Sequence, residues 1–150
     1  MDTCMEIICI GNELLIGKTL NTNAQWLAKH ATSVGIMVRR ITVVSDDIDE
    51  IAGAVQEALK RKPRFLITTG GLGPTFDDLT LEGIAKSMGC KLAVNKKALK
   101  MVKKKYENYR KQNQLSKIEL TPARIKMATL PEETEPLPNL VGTAPGMMAK

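Results

Sequence analysis

The chain has 150 residues, 43% of them apolar and 25% charged, with a formal net charge of +6. This size and mix describe one globular domain able to bury a core, and they exclude a disordered or fibrous chain. The opening Met1-Asp2-Thr3-Cys4-Met5-Glu6 has no basic region ahead of a short apolar run, so no signal peptide is expected, and no run is long enough to span a membrane. Cys4, Cys9 and Cys90 lack metal-type spacing, and the first two, five residues apart on a strand, face opposite ways. Reduced core cysteines in a cytoplasmic protein are the expectation.

Met5 to Ile10, apolar except for Glu6, reads as the first strand, and Gly11 ends it. The next segment, Gly11-Asn-Glu-Leu-Leu-Ile-Gly-Lys-Thr19, invites comparison with the phosphate loop of nucleoside triphosphatases. Five residues separate its glycines where that motif has four, and Glu13 would oppose a phosphate, so the assignment is rejected. Asn21 and Asn23 offer N-caps to a helix with Ala24, Leu27, Ala28, Ala31 and Val34 on one face, stopped by Gly35. His30, the lone histidine, falls off that face and reads as surface, whereas Trp26 reads as packing. Ile36 to Val44 is the second strand, edge-like around Arg39-Arg40. Ser45-Asp46-Asp47-Ile48-Asp49-Glu50 opens a second helix, its carboxylates complementing the helix dipole. Asp46 or Asp47 also falls at the end of a strand, where open parallel sheets collect their ligands. Ile48, Ile51, Val55 and Leu59 form this helix's buried stripe, and Lys60-Arg61-Lys62-Pro63 closes it.

Phe65, Leu66 and Ile67 then read as a fully buried parallel strand that stops at Gly70-Gly71. Gly70, Gly71 and Gly73 around Leu72 free the main chain to approach a ligand, and Pro74 stiffens the residues after it. Amides of this loop, with the hydroxyls of Thr68, Thr69 and Thr75, suit phosphate or carboxylate oxygens. A helix starting near Thr80 adds its positive end. Asp77 and Asp78 would repel a polyphosphate unless a divalent cation such as Mg²⁺ intervened, since that ion typically takes one or two carboxylates plus phosphate oxygens. The plainer reading makes one of them a helix cap.

After Asp78, Leu81, Ile84, Ala85 and Met88 point to the core and Gly89 stops the helix; Cys90 to Val94 suits a short edge strand. Between Lys96 and Lys111 stand eight basic residues and one acid, a local charge of +7, so the basic character belongs to one helix. Its apolar positions Ala98, Leu99, Val102, Tyr106 and Tyr109 recur at helical spacing. With five aromatics and no stacking motif, sequence-specific nucleic-acid binding is not expected. Thr121-Pro122 caps a short helix to about Met127, and the proline-rich Leu130 to Gly146 reads as a turn-rich return to the ligand site. Alternating strands and helices with short loops give right-handed crossovers and a mainly parallel sheet covered on both faces, an α/β fold.

Four motifs in order, Gly11-Asn-Glu-Leu-Leu-x-Gly17-x-Thr-x-Asn21-Thr-Asn23, Ser45-Asp-Asp47, Thr69-Gly-Gly-Leu-Gly-Pro-Thr-x-Asp-Asp-x-Thr80-x-Glu82 and Gly142-Thr-Ala-Pro-Gly146, span essentially the whole chain. Together they resemble the molybdopterin-binding-like domain of the competence/damage-inducible protein A (CinA) family. The resemblance implies a three-layer α/β/α sandwich in one domain, residues 1–150, that continues past Lys150 in family members and self-associates. It also implies hydrolysis of the pyrophosphate bond of ADP-ribose or a related dinucleotide, with a divalent metal on Asp77 and Asp78. The amides of Gly70 to Gly73 would hold the phosphate, with Thr69, Thr75, Thr80, Asn12, Glu13 and Asp46 around the same crevice. Molybdenum-cofactor proteins of this fold bind or adenylylate molybdopterin, with a basic residue where this chain has Asp77, which favours the CinA-like branch. A non-catalytic nucleotide-binding module, its basic helix facing a partner, is the third reading.

Overall fold

The computed structural model describes residues 3–112 and 119–150; Met1 and Asp2 of the signal-peptide argument lie outside them. The first half alternates strand and helix: β1 (Cys4–Ile10), α1 (Asn12–Leu15), α2 (Thr22–Ser33), β2 (Met37–Val44), α3 (Ile48–Lys60), β3 (Phe65–Thr69) and α4 (Thr80–Met88). Next come β4 (Leu92–Val94), the basic α5 (Lys96–Gln112), α6 (Pro122–Lys126), β5 (Thr129–Pro131), β6 (Glu135–Leu137) and β7 (Gly146–Met148). Among the described residues no helix is long and apolar enough to cross a membrane.

The strands β2, β1 and β3 form a parallel sheet in that order. Side chains of β1 alternate faces, and the two faces bury different helices. Met5, Ile7 and Cys9 pack with Ala24 and Ala31 of α2. Ile8 and Ile10 pack with Ile51, Val55 and Ala58 of α3 and Ile84 of α4. This makes the three-layer α/β/α sandwich. A second apolar cluster joins Leu81 of α4 to Ala98 and Val102 of α5 and to Met127, Ala128 and Leu130. Gly83 permits the close crossing of α3 and α4, since a Cβ there would lie 2.4 Å from Ile51 Cγ2.

Local chemistry sets the helix ends. Asn21 accepts from the Ala24 amide, Asp47 from the amides of Asp49 and Glu50, and Thr121 from that of Arg124. Gly89, left-handed at φ 66°, ends α4.

Several expectations are corrected. The strand β3 is not fully buried: among the described residues it pairs only with β1, and Phe65 is 42% exposed. Leu59 is exposed because the sheet-facing stripe of α3 runs Ile51, Ala52, Val55, Ala58, and one residue further on the helix turns away. Val34, just past α2, Met88, in the last turn of α4, and Tyr109 are also exposed. Trp26 is not core packing; it lies on the surface, stacked on His30 with ring centroids 3.8 Å apart. The strand β4 pairs antiparallel with β5 in a small separate sheet. The C-terminal segment lies against α5 and the end of α6, where Lys105 Nζ donates to Leu140 O at 2.9 Å and Thr143 Oγ1 contacts Met127 Sδ at 3.7 Å, and its Ala144 and Met147 pack on the same cluster as Leu72 of the glycine loop.

Glu6 is the buried charge of β1, gripped by Arg61 just past α3 through Nε at 2.8 Å and Nη2 at 2.7 Å. The Arg61 hydrogen bonds hold its carboxyl below the usual carboxylate range, against burial and with help from the Arg61 and Arg40 charges. A carboxyl with a lowered folded-state pKa adds stability above its unfolded value and loses it as pH falls through the folded one. Glu6→Leu is therefore expected to flatten the acid side of a melting-temperature profile. Arg61→Ala, which strands the carboxylate, should lower the melting temperature by several degrees at neutral pH.

Candidate functional site

The carboxyl ends of all three main-sheet strands meet at one rim. Gly11, after β1, donates its amide to Val44 O at the end of β2, and Gly70, after β3, lies against Ile10. That last contact demands glycine: Gly70 has φ 101°, and a Cβ on it would sit 2.0 Å from Ile10 O. Gly71, at φ 60°, faces the Thr80 hydroxyl in the same way.

The loop is fastened from below and within. Thr80, fully buried at the start of α4, donates its hydroxyl to Gly70 O at 2.8 Å and its amide to Gly71 O at 3.2 Å. It is thus a fastener of the loop, not an exposed ligand contact. Asp78 does not cap α4, whose N-cap is Leu79 with no side-chain bond. Its carboxylate turns back into the loop and accepts from the Thr75 amide at 2.8 Å and from the Thr75 hydroxyl, with Gly73 close beside it. Burial would raise its pKa, but those hydrogen bonds and the nearby Lys126 charge hold it below the usual carboxylate range.

Asp77 reaches the same Thr75 hydroxyl. One hydroxyl carries one proton, so it cannot donate to both carboxylates at once. Thr75, Asp77 and Asp78 therefore converge as three oxygens with one proton between them. Among the described residues no three acidic, histidine or cysteine side chains gather into a full metal cage.

The other expected site residues lie beside this group, around the ends of β1 and β2. Asn12 donates its amide to Asp46 Oδ2 at 2.8 Å, clasping the start of α1 to the β2–α3 turn. The Glu13 carboxylate folds across Gly11, 2.7 Å from where a Cβ would stand. Thr69 Oγ1 is bound by Asn23 Nδ2 at 2.8 Å, a residue that the sequence offered only as a cap. Cys9 is buried, and burial pushes its thiol pKa up, so it is no nucleophile.

On the α4 side of the loop opens a cavity of about 330 Å³ lined by Gly71, Leu72, Gly73, Asp78, Leu81, Glu82, Leu92, Pro122, Ile125, Lys126 and Thr129. Asn12, Glu13, Asp46 and Thr69 are not among its walls. Lys126, which no sequence motif singles out, also belongs to this site. Its Nζ donates to Thr75 O and lies 3.9 Å from Glu82 Oε1.

A parallel sheet whose strand ends carry a carboxylate-braced glycine loop defines an open α/β domain, the class of fold that gathers ligands at the carboxyl ends of its strands. The chain belongs to the molybdopterin-binding domain family: the model described as "Probable molybdopterin binding domain" matches residues 6–150. It is CinA-like within that fold. The solved CinA of Thermoplasma acidophilum, itself a protein with unknown function, is 45% identical with a TM-score of 0.85, over 97% of this chain and 80% of that one. A tungsten-cofactor-synthesizing MoaB from Pyrococcus furiosus, 22% identical at TM-score 0.55 over 77% of this chain and 69% of that one, shares the fold. A curated protein of Sulfurisphaera tokodaii is 50% identical over 95% of this chain and 52% of its own length. The chain thus spans about half the length of the curated relatives it matches.

Proposed function

We propose that this domain binds a phosphorylated heterocycle of the molybdopterin type, with its phosphate at the Gly70–Gly73 loop. The observation that carries this is the loop's hold on Asp78: its amide and hydroxyl donors already serve one anion, and family membership supplies the ligand class. In this reading Asp78 braces the loop, Thr80 fixes the backbone of Gly70 and Gly71, and Asn23 positions Thr69 at the rim.

A second reading, hydrolysis of the pyrophosphate bond of ADP-ribose or a related dinucleotide, is favoured by Asp77. Its carboxylate and that of Asp78 share the Thr75 hydroxyl and leave oxygen lone pairs without a proton. Two carboxylates suit Mg²⁺, which fills its remaining positions with waters and substrate phosphates. Asp77 and Asp78 would hold the ion, which when bound stabilises charge on a diphosphate. Thr75 orients both carboxylates, and the loop keeps the phosphate beside them.

Calorimetric titration with molybdopterin and with ADP-ribose, each with and without Mg²⁺, and with AMP release followed in parallel, separates the readings. Molybdopterin binding without turnover supports the first. Cation-dependent AMP release supports the second, and ADP-ribose binding without release would make the domain a nucleotide-binding module. Binding of neither ligand overturns all of these.

A further inference from the structure

Lys126 and the cavity beside it form a feature that neither the glycine motif nor the paired aspartates account for. The cavity lies within the size range of small-molecule pockets, roughly 300–1,000 Å³, and its walls divide by chemistry. Leu72, Leu81, Leu92 and Ile125 give it apolar walls, while Gly71, Gly73 and Asp78 come from the loop and Glu82 and Lys126 add a charge of each sign. Among its lining residues Lys126 carries the cationic group, with a side chain 27% exposed.

The placement of Lys126 is built rather than incidental. The helix α6 starts from a Thr121 cap with Pro122 in its first turn, and Met127 and Ala128, immediately after Lys126, are buried in the second apolar cluster. That anchoring holds the stem of Lys126 against the loop, so its ammonium meets Thr75 O instead of ranging through solvent. It donates to one neutral carbonyl, lies 3.9 Å from the Glu82 carboxylate, longer than a direct charge-assisted hydrogen bond, and acts on the nearby Asp78 carboxylate through its charge. The ammonium therefore keeps donor capacity for an anion brought to the loop.

We infer that Lys126 is a ligand-binding residue that pairs with the phosphate at the glycine loop, and that the apolar cavity beside it receives the planar ring of the same ligand. This rests on the phosphate-binding reading above and adds what that reading lacks, a cation to offset Asp77 and Asp78 and a slot that selects ring-bearing ligands. The ligand is a phosphate ester of a fused heterocycle, either adenine or pterin, of a size that bridges loop and cavity.

The test is a binding panel of inorganic pyrophosphate, ADP-ribose and molybdopterin against the wild-type chain, Lys126→Ala, Lys126→Arg and Ile125→Trp, each variant checked by thermal melting. Lys126→Ala is expected to weaken all ligands that wild type binds by about tenfold to a hundredfold, the scale of one hydrogen bond to a charged group. Lys126→Arg should restore much of that loss. Ile125→Trp, which fills the cavity, should leave pyrophosphate affinity intact and weaken whichever ring-bearing ligand binds, its identity deciding between adenine and pterin. Wild-type binding that Lys126→Ala leaves unchanged would overturn the role of Lys126 while sparing the loop. Unchanged ring-ligand affinity in a folded Ile125→Trp would overturn the slot. Failure of wild type to bind anything in the panel would sink the phosphate-binding reading and this inference with it.

Discussion

Asp78→Asn is expected to reduce any cation-dependent AMP release by at least about a hundredfold, the scale on which losing a metal-holding charge acts, while leaving the fold standing. The amide keeps an oxygen to accept from Thr75 N–H, so the turn between them survives. The Thr75 hydroxyl reaches that same oxygen, Oδ2, so what disappears is the charge, together with the other carboxylate oxygen, which becomes an NH2 group. The melting temperature should fall by no more than about 4 °C, as befits one lost hydrogen bond in a domain of this size. The pH dependence has a definite sign. Asp78 is held below the usual carboxylate range, so its charge persists through mildly acidic conditions and is lost only as pH falls through that lowered value. Wild-type cation binding should then survive to a lower pH than an ordinary exposed carboxylate would allow. Parallel titrations of the two proteins with Mg²⁺ and ADP-ribose check both points, and equal AMP release by the variant would remove Asp78 from the metal-holding role.

Gly70→Ala should have the largest effect on stability. The added methyl would stand 2.0 Å from Ile10 O, and that atom is main chain of the most buried strand, with no side-chain rotation available to relieve the overlap. The residue's φ of 101° is a further cost for any side chain. Overpacking and backbone strain each cost roughly 1–3 kcal/mol, giving about 2–6 kcal/mol together. Chemical denaturation should show it directly. A variant as stable as wild type would mean that the β3 exit and the end of β1 are not packed as described.

The legible part of this chain was its local chemistry. The asparagine before α2, the aspartate before α3 and the threonine-proline before α6 each announce a helix start through a side chain that reaches only two or three residues ahead. The β1 strand was legible because both faces are apolar, as a central strand requires. Edge position was not legible for β3, since Phe65-Leu-Ile is equally apolar whether one or two strands flank it. The site was legible where it is contiguous, from Thr69 to Thr80. Lys126 stands some fifty residues away in a short helix, and only the docking of α6 under the loop brings it there. Thr80 was placed correctly at the loop but in the wrong role, because a hydroxyl at a helix start reads the same whether it faces a ligand or a buried carbonyl.

The register of β1 on β2 skips Arg39: Met5 pairs with Val38, and Glu6 with Arg40. This bulge, with two adjacent arginines, lies on an outer strand of the sheet, whereas the opposite outer strand, β3, pairs with β1 without a register shift. A bulged, positively charged border resists the addition of further strands. Among the described residues the β3 border carries no such bulge, so the two borders of this sheet differ in shape and charge.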